Sequence, residues 1–234
     1  MAELESASLI GIELLSDLPA KALEALSKRC SWRTYQVNEQ VINRQSDSCD
    51  LYFIVDGRAR VVNYSLSGRE VTFDDREGGT YFGELAAIDG EPRSANVVAL
   101  EETVVASLSQ TDFHDLLNTY PKVAVRILKN LAKIVRISTD RIMDLTTLGA
   151  NNRVHAELLR LAKPGLMDDN TAKISPIPIH GDIASRVSTT RETVARVLSD
   201  LTREGILHRD RDTLIILNVD ALTDIVEIVR GESD

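Results

Sequence analysis

Residues 179–207 read IHGDIASRVSTTRETVARVLSDLTREGIL, and this stretch decides the architecture of the chain. Ile183, Ala184 and Val187 recur at helical spacing and make the inner face of a short first helix. Ser188–Thr190 is the turn, and Thr189 with Glu192 has the T-x-x-E form of a capping box. Val194, Val197, Leu198 and Leu201 line the inner face of a second helix, which Gly205 is placed to stop. An extended stretch, Leu207–Leu217, follows as a hairpin. Two helices joined by a tight turn, with a trailing β-hairpin, are a helix-turn-helix with a wing. Arg191, Glu192, Arg196 and Arg203 point away from the inner face. Arg191 and Arg196 each suit guanine O6 and N7 in bidentate fashion, and Glu192 suits the cytosine N4 amine. Ser188, Thr189 and Thr190 stand beside them as further DNA-contact candidates. The alternative is a solvated helix face with an i,i+4 pair such as Arg196–Asp200.

Upstream, the pattern is helical without a break from Pro121 to Leu148, a helix of about 40 Å. Leu128, Leu131, Val135, Ser138, Ile142 and Leu145 alternate by three and four, the seam of a two-stranded coiled coil and hence of a homodimer. Ile127, Ile134 and Ile137 form a neighbouring face that suits packing on the N-terminal domain. Ser138, with Thr139 beside it, breaks the seam. Either the hydroxyl bonds a carbonyl one turn back, or the seam holds a ligand there. Gly149–Asn152 reads as a hinge before a helix over about Arg153–Ala162. Lys173–Ile179, with Pro176 and Pro178, suits an edge strand.

From Tyr35 to about Leu108 the pattern is different. Leu51–Val55 ends at Asp56-Gly57, Arg60–Tyr64 at Ser67-Gly68, and Val71–Asp74 near Gly78-Gly79. Short strands with frequent turn signals predict an all-β roll or barrel. Residues 12–30 precede it as a short helical start. The expected class is α+β: a jelly-roll-like β-roll over 1–120, a dimerisation helix over 121–148, and a winged helix-turn-helix over 149–234.

Residues 81–100 read YFGELAAIDGEPRSANVVAL. Gly83 allows close backbone approach, and Glu84 is an acceptor suited to a ribose 2′-hydroxyl. Arg93 offers a planar fork for a phosphate, with the Ser94 hydroxyl and the Ala95 N–H beside it. The alternative is a surface salt bridge between Glu84 and Arg93. Leu85, Ala86, Val55 and Phe73 complete the ligand-binding candidates in this half.

These motifs resemble the cyclic-AMP receptor branch of the CRP/FNR family of transcription regulators. The R-E-T-V-A-R run at 191–196 carries one part of the likeness, and F-G-E-L-A with P-R-S-A at 82–95 carries the other. The resemblance implies that Glu84 holds a ribose and Arg93 a cyclic phosphate. It also implies that Arg191, Glu192 and Arg196 read a TGTGA-type half-site of a palindrome. Ser138 would contact the base within its own chain and Thr139 from the partner chain. Arg93 follows Glu84 by nine positions, a shorter spacing than in the enteric receptor and like that of kinase regulatory subunits. The effector expected is cyclic AMP, with cyclic GMP admitted because a hydroxyl both donates and accepts. RNA polymerase is a partner by the same resemblance, with the loop 163–175 at the contact.

Composition agrees with a two-domain globular protein: 43% hydrophobic, 27% charged and a net charge of −9. That charge argues against coating nucleic acid by charge alone, but four arginines against two acids between Ser185 and Arg203 give a local footprint. No apolar run approaches a membrane span, and the acidic start does not read as a secretory signal, so a cytoplasmic place is expected. Cys30 and Cys49 are expected as free thiols, too few for an iron–sulfur cluster. All four histidines (His114, His155, His180, His208) follow the β-region, which speaks against a metal enzyme on a cupin-like barrel. Neither a metal nor a catalytic cofactor is called for. A family member that answers to redox or to no ligand is the remaining alternative.

Overall fold

The computed structural model describes residues 8–230, residue 69 excepted. The chain divides into two compact units, Met1–Lys133 and Ile134–Asp234. In the first, a 3-10 turn at Glu13–Leu15 precedes α1 (Ala20–Arg29), then β1 (Ser31–Tyr35), β2 (Gln40–Ile42), β3 (Leu51–Asp56), β4 (Arg58–Tyr64) and β5 (Glu70–Glu77). β6 (Tyr81–Phe82), α2 (Glu84–Asp89), β7 (Asn96–Ala99), β8 (Thr103–Leu108) and α3 (Gln110–Thr119) follow, and then the long helix α4 (Pro121–Thr147) begins. Residues 12–30 are thus two helical pieces, because Pro19 fits only before the first turn of α1.

The strands form two antiparallel four-stranded sheets, ordered β1-β8-β3-β6 and β2-β7-β4-β5. One core lies between them: Tyr35, Ile54, Phe82 and Val105 from the first sheet, with Ile42, Ala59, Val97 and Ala99 from the second. The outer face of the first sheet carries Leu51, Phe53, Ala106 and Leu108, and helices cover it through Leu26, Phe113, Leu116, Val123 and Ile127. Burial on both faces explains why β3 reads LYFIV without polar alternation. Ser109 caps α3 by accepting from the Asp112 N–H at 3.2 Å, and Pro121 opens α4, where its missing N–H costs nothing.

Along α4 the two apolar stripes separate in burial. Val123 and Ile127 are buried, and Leu131 packs partly against the same core. Leu131, expected in the seam, therefore also serves its own domain. Leu128, Val135, Ile142 and Leu145 stay 64, 64, 60 and 48% exposed. Ile134 and Ile137, in the second unit, are half-buried.

The second unit contains the rest of α4, α5 (Ala150–Ala162), a 3-10 turn at Lys163–Gly165, β9 (Ala172–Ile174), α6 (His180–Arg186), α7 (Arg191–Arg203), β10 (Leu207–Asp210), β11 (Thr213–Ile216) and α8 (Val219–Arg230). The break expected at Gly149–Asn152 is narrower: Gly149 is the N-cap of α5, and Asn151 and Asn152 are already helical. β9 is an edge of the sheet β10-β11-β9, and both prolines lie beyond it. α8 escaped the sequence reading. Its Leu222 and Val226 are buried at helical spacing, and Asn218 caps it by accepting from the Ala221 N–H at 2.9 Å, a cap signal that the sequence reading passed over. Val154, Leu158, Ile183, Val187, Val194, Val197, Leu201 and Leu207 share one core with β9 and β11.

Candidate functional site

The turn after β6 builds the first site. Gly83 has φ +83°, a conformation that strains any side chain, and a Cβ there would lie 2.7 Å from Arg93 Nη1. Glu84 and Arg93 are both buried, 7 and 4% exposed. They do not form the ion pair considered as an alternative. Arg93 Nη1 donates to the Gly83 carbonyl at 2.9 Å, and Nη2 to the Asp50 carbonyl at 2.8 Å. Nε and Nη2 donate to the Ser48 hydroxyl at 3.2 and 3.1 Å. The guanidinium sits 5.4 Å from the centre of the Tyr52 ring, which stacks on Phe82. Burial pulls the Arg93 pKa down, against the opposing influence of the nearby Tyr52, Cys49 and Asp50. Burial likewise raises the pKa of Glu84, against a bond from its own main-chain N–H and the nearby charge of Arg76.

Ser48, Asp50 and Tyr52 were missed by sequence reasoning. The loop before β3, NRQSDSC at 43–49, has no periodicity to read. Around the turn Ala86 is buried, Leu85 and Phe73 are 43 and 42% exposed, Ser94 is exposed and Ala95 half-buried. The Ser94 carbonyl accepts from the Asn63 amide at 3.1 Å. Val55 packs against the core beneath the helices.

Ser138 and Thr139 are exposed on the part of α4 that belongs to the second unit. It is Thr139, not Ser138, whose hydroxyl donates one turn back, to the Val135 carbonyl at 3.0 Å.

The second site is α7. Its N-cap is Thr190, whose hydroxyl oxygen accepts from the Thr193 N–H at 3.2 Å. The capping box expected from Thr189 to Glu192 is therefore displaced by one residue. Ser188, in the turn between α6 and α7, has φ +52°. Arg191, Glu192 and Arg196 are exposed, while Val194 and Val197 are buried, which is the division expected. Glu192 is held below the usual carboxylate range by its own main-chain N–H and the Thr190 hydroxyl, so it stays an acceptor at neutral pH. Asp200 pairs with Arg203 at 2.7 Å and not with Arg196. Arg203, at the far end of α7, is thus engaged elsewhere than the base-reading end. A residue the sequence did not single out also matters. Gly181 underlies Arg191, and a Cβ there would come within 2.9 Å of its Nε.

Comparison with known proteins covers both regions of the chain. The cyclic nucleotide-binding domain matches residues 32–120, and the Crp-like helix-turn-helix domain matches residues 152–225. The Cyclic AMP receptor protein of Thermus thermophilus is 33% identical over 176 residues, which is 75% of this chain and 78% of that protein. The chain belongs to the CRP/FNR family. The cAMP-activated global transcriptional regulator Vfr of Pseudomonas aeruginosa is 30% identical, over 84% of this chain and 94% of its own. A CooA mutant structure from Carboxydothermus hydrogenoformans shares the fold, with a TM-score of 0.78 at 22% identity, covering 94% of this chain and 96% of that one. As a CRP/FNR member, the chain is a transcription regulator with a cyclic nucleotide-binding domain and a DNA-binding helix-turn-helix. Cys30 and Cys49 are free, with the Cys30 thiol pushed up to about 12 by burial. Among the described residues, no helix is long and apolar enough to cross a membrane, and no cluster of acidic, histidine or cysteine side chains is arranged to hold a metal.

Proposed function

We propose that this regulator is a cytoplasmic homodimer that binds cyclic AMP and, in response, binds palindromic TGTGA-type DNA. One observation carries the reading. Arg93 is a buried cation whose hydrogen bonds all go to neutral oxygens, within a cyclic nucleotide-binding domain. Burying a charge without a counter-ion is costly, and an anionic phosphate offsets that cost directly. Phosphate oxygens would take the places of the Ser48 hydroxyl and the Gly83 carbonyl on the guanidinium. Glu84 would accept from the ribose hydroxyl, with the Ser94 hydroxyl and Ala95 N–H adding donors to the phosphate.

The base would meet Ser138 from its own chain and Thr139 from the partner. Because Thr139 already donates to Val135, its oxygen is left to accept, which suits the adenine N6 amine over guanine O6. The exposed Leu128, Val135, Ile142 and Leu145 form a stripe that a second copy of the helix would cover. Two copies of α7 would then present Arg191, Glu192 and Arg196 to half-sites about 34 Å apart. The segment 163–175, expected as a loop but containing the 3-10 turn at Lys163–Gly165 and the strand β9, is the surface proposed to meet RNA polymerase.

Fluorescence anisotropy of a labelled TGTGA palindrome, at fixed salt, tests the whole reading with no nucleotide, cyclic AMP or cyclic GMP present. Tight binding with cyclic AMP alone supports sensor, reader and base selectivity together. Equal binding in all three conditions keeps the reader and discards the switch. Equal response to both nucleotides discards the role given to Thr139.

A further inference from the structure

The break between α4 and α5 is two residues long, Leu148 and Gly149, and a set of buried charges spans it. On α4, Arg141, Asp144 and Leu148 are three and four residues apart and share a face. On α5, Arg153, Glu157 and Arg160 do the same. Asp144 and Glu157 are 3 and 1% exposed. Arg160 joins the two helices, its Nη2 donating to Asp144 Oδ2 and its Nη1 to Glu157 Oε2 at 3.0 Å. Arg141 lies 3.6 Å from Glu157 Oε1, and Arg186, the last residue of α6, lies 3.7 Å from the same oxygen.

Arg153 adds a second strap. It donates to the Leu148 carbonyl at the end of α4 (2.9 Å), and to the carbonyls of Val187 and Ser188 (2.8 and 3.1 Å) in the turn before α7. The end of the long helix is thereby bonded, through α5, to the residues that set where the recognition helix starts.

Buried ion pairs add little net stability over apolar packing, but they tolerate geometric error badly, because a lost partner strands a buried charge. Turning α4 by a single residue would swing Asp144 about 100° away from Arg160. A turn of that size breaks the contact, and an element with two such arrangements can couple two sites. We propose that Asp144 and Glu157, with Arg141, Arg160 and Arg186, form a latch that passes the state of α4 to Arg191, Glu192 and Arg196. These five are positioning residues, and their role rests on the reading above in that the nucleotide signal enters through α4.

The test uses full-length wild type, Asp144→Asn, Arg160→Gln and the double variant. Cyclic AMP binding is measured by calorimetry, and DNA binding by anisotropy with and without cyclic AMP. The expected result is that the variants still bind cyclic AMP, while the ratio of DNA dissociation constants without and with nucleotide falls at least about fivefold. The double variant is expected to be no worse than Arg160→Gln alone, since that change already breaks the Asp144 pair along with the Glu157 one. A network that only stabilises the fold would lower the melting temperature and leave that ratio alone, and this outcome overturns the latch. If Asp144→Asn does not fold, Arg141→Gln repeats the test at the more accessible end of the network, where the side chain is 22% exposed.

Absence of any nucleotide response in wild type would defeat the cyclic AMP reading instead. The latch is then judged by spin labels at Asp140→Cys and Thr202→Cys in a background without native thiols, diluted with unlabelled chain. A single narrow distance that broadens in the Asp144→Asn variant supports it. An unchanged distribution overturns it.

Discussion

The two sites of this regulator handle charge in opposite ways. The proposed nucleotide site keeps Arg93 and Glu84 out of water, 4 and 7% exposed, and holds the guanidinium with main-chain and hydroxyl oxygens. The proposed DNA site leaves Arg191, Glu192 and Arg196 in solvent on α7, with only the inner face of that helix packed. A small ligand bound once must be recognised by a preformed pocket, so the cost of burying charge is met on folding. A long polyanion is met across an open face, where solvated arginines need only displace counterions. The difference teaches that the sensor's selectivity lies in geometry, and the reader's in which side chains happen to face outward.

Salt is the sharpest way to separate them. Between about 50 and 200 mM salt, DNA affinity of the cyclic AMP-loaded protein is expected to fall on the order of a thousandfold. Cyclic AMP affinity in the same range should change only a fewfold, because buried charges are screened little. Anisotropy and calorimetry at four salt concentrations measure both slopes, and equal slopes would break the comparison.

Arg93→Ala comes next in size. Loss of charge-assisted bonds to a phosphate predicts at least a roughly hundredfold loss of cyclic AMP affinity. The domain fold should persist, since the charge removed had no carboxylate partner to strand. Calorimetric binding at the wild-type level would refute the assignment of this residue.

Arg191→Ala should cost about 10- to 100-fold in affinity for the TGTGA palindrome and relax discrimination at one base pair, with cyclic AMP binding untouched. Loss of the same size for an unrelated duplex would make Arg191 a phosphate contact only.

The contrast between the sites also governs what was legible in the sequence. The two faces of α7 were legible because they lie on one helix, where a period of 3.6 assigns Val194 and Val197 inward and Arg191 and Arg196 outward. The capping residue was misplaced by one, since the αL conformation of Ser188 leaves no mark in a Ser-Thr-Thr run. In the β-roll, the gathering of Gly83, Glu84 and Arg93 at one turn was legible, because they are close in sequence. Ser48 and Asp50, some forty residues from Arg93, were not, because contacts made across a sheet carry no local spacing. The α4–α5 charges escaped for the same reason, though each helix by itself shows them on one face.

Glu84 gives the smallest effect and the most discriminating one. Burial raises its pKa above the ordinary value of 4.5, so the folded protein binds a proton there more tightly than the unfolded chain does. Its ionised form therefore lowers stability: the cost is absent below about pH 4.5, grows as pH rises toward the folded pKa, and is constant above it. Replacing it by glutamine removes the cost. Glu84→Gln is expected to melt a few degrees above wild type at pH 7 without ligand, with the gap closing as pH falls toward 4.5. The same change should weaken cyclic AMP binding about tenfold, through loss of an ionised acceptor for the ribose hydroxyl. A variant that is more stable and binds less tightly shows that this carboxylate is kept ionised for the ligand. An exposed carboxylate such as Glu192, whose pKa is lowered instead, should give no such gain when replaced. If Glu84→Gln melts lower than wild type at pH 7, the carboxylate has a structural partner, and the sensor would resemble the reader in holding its charges at no cost to the fold.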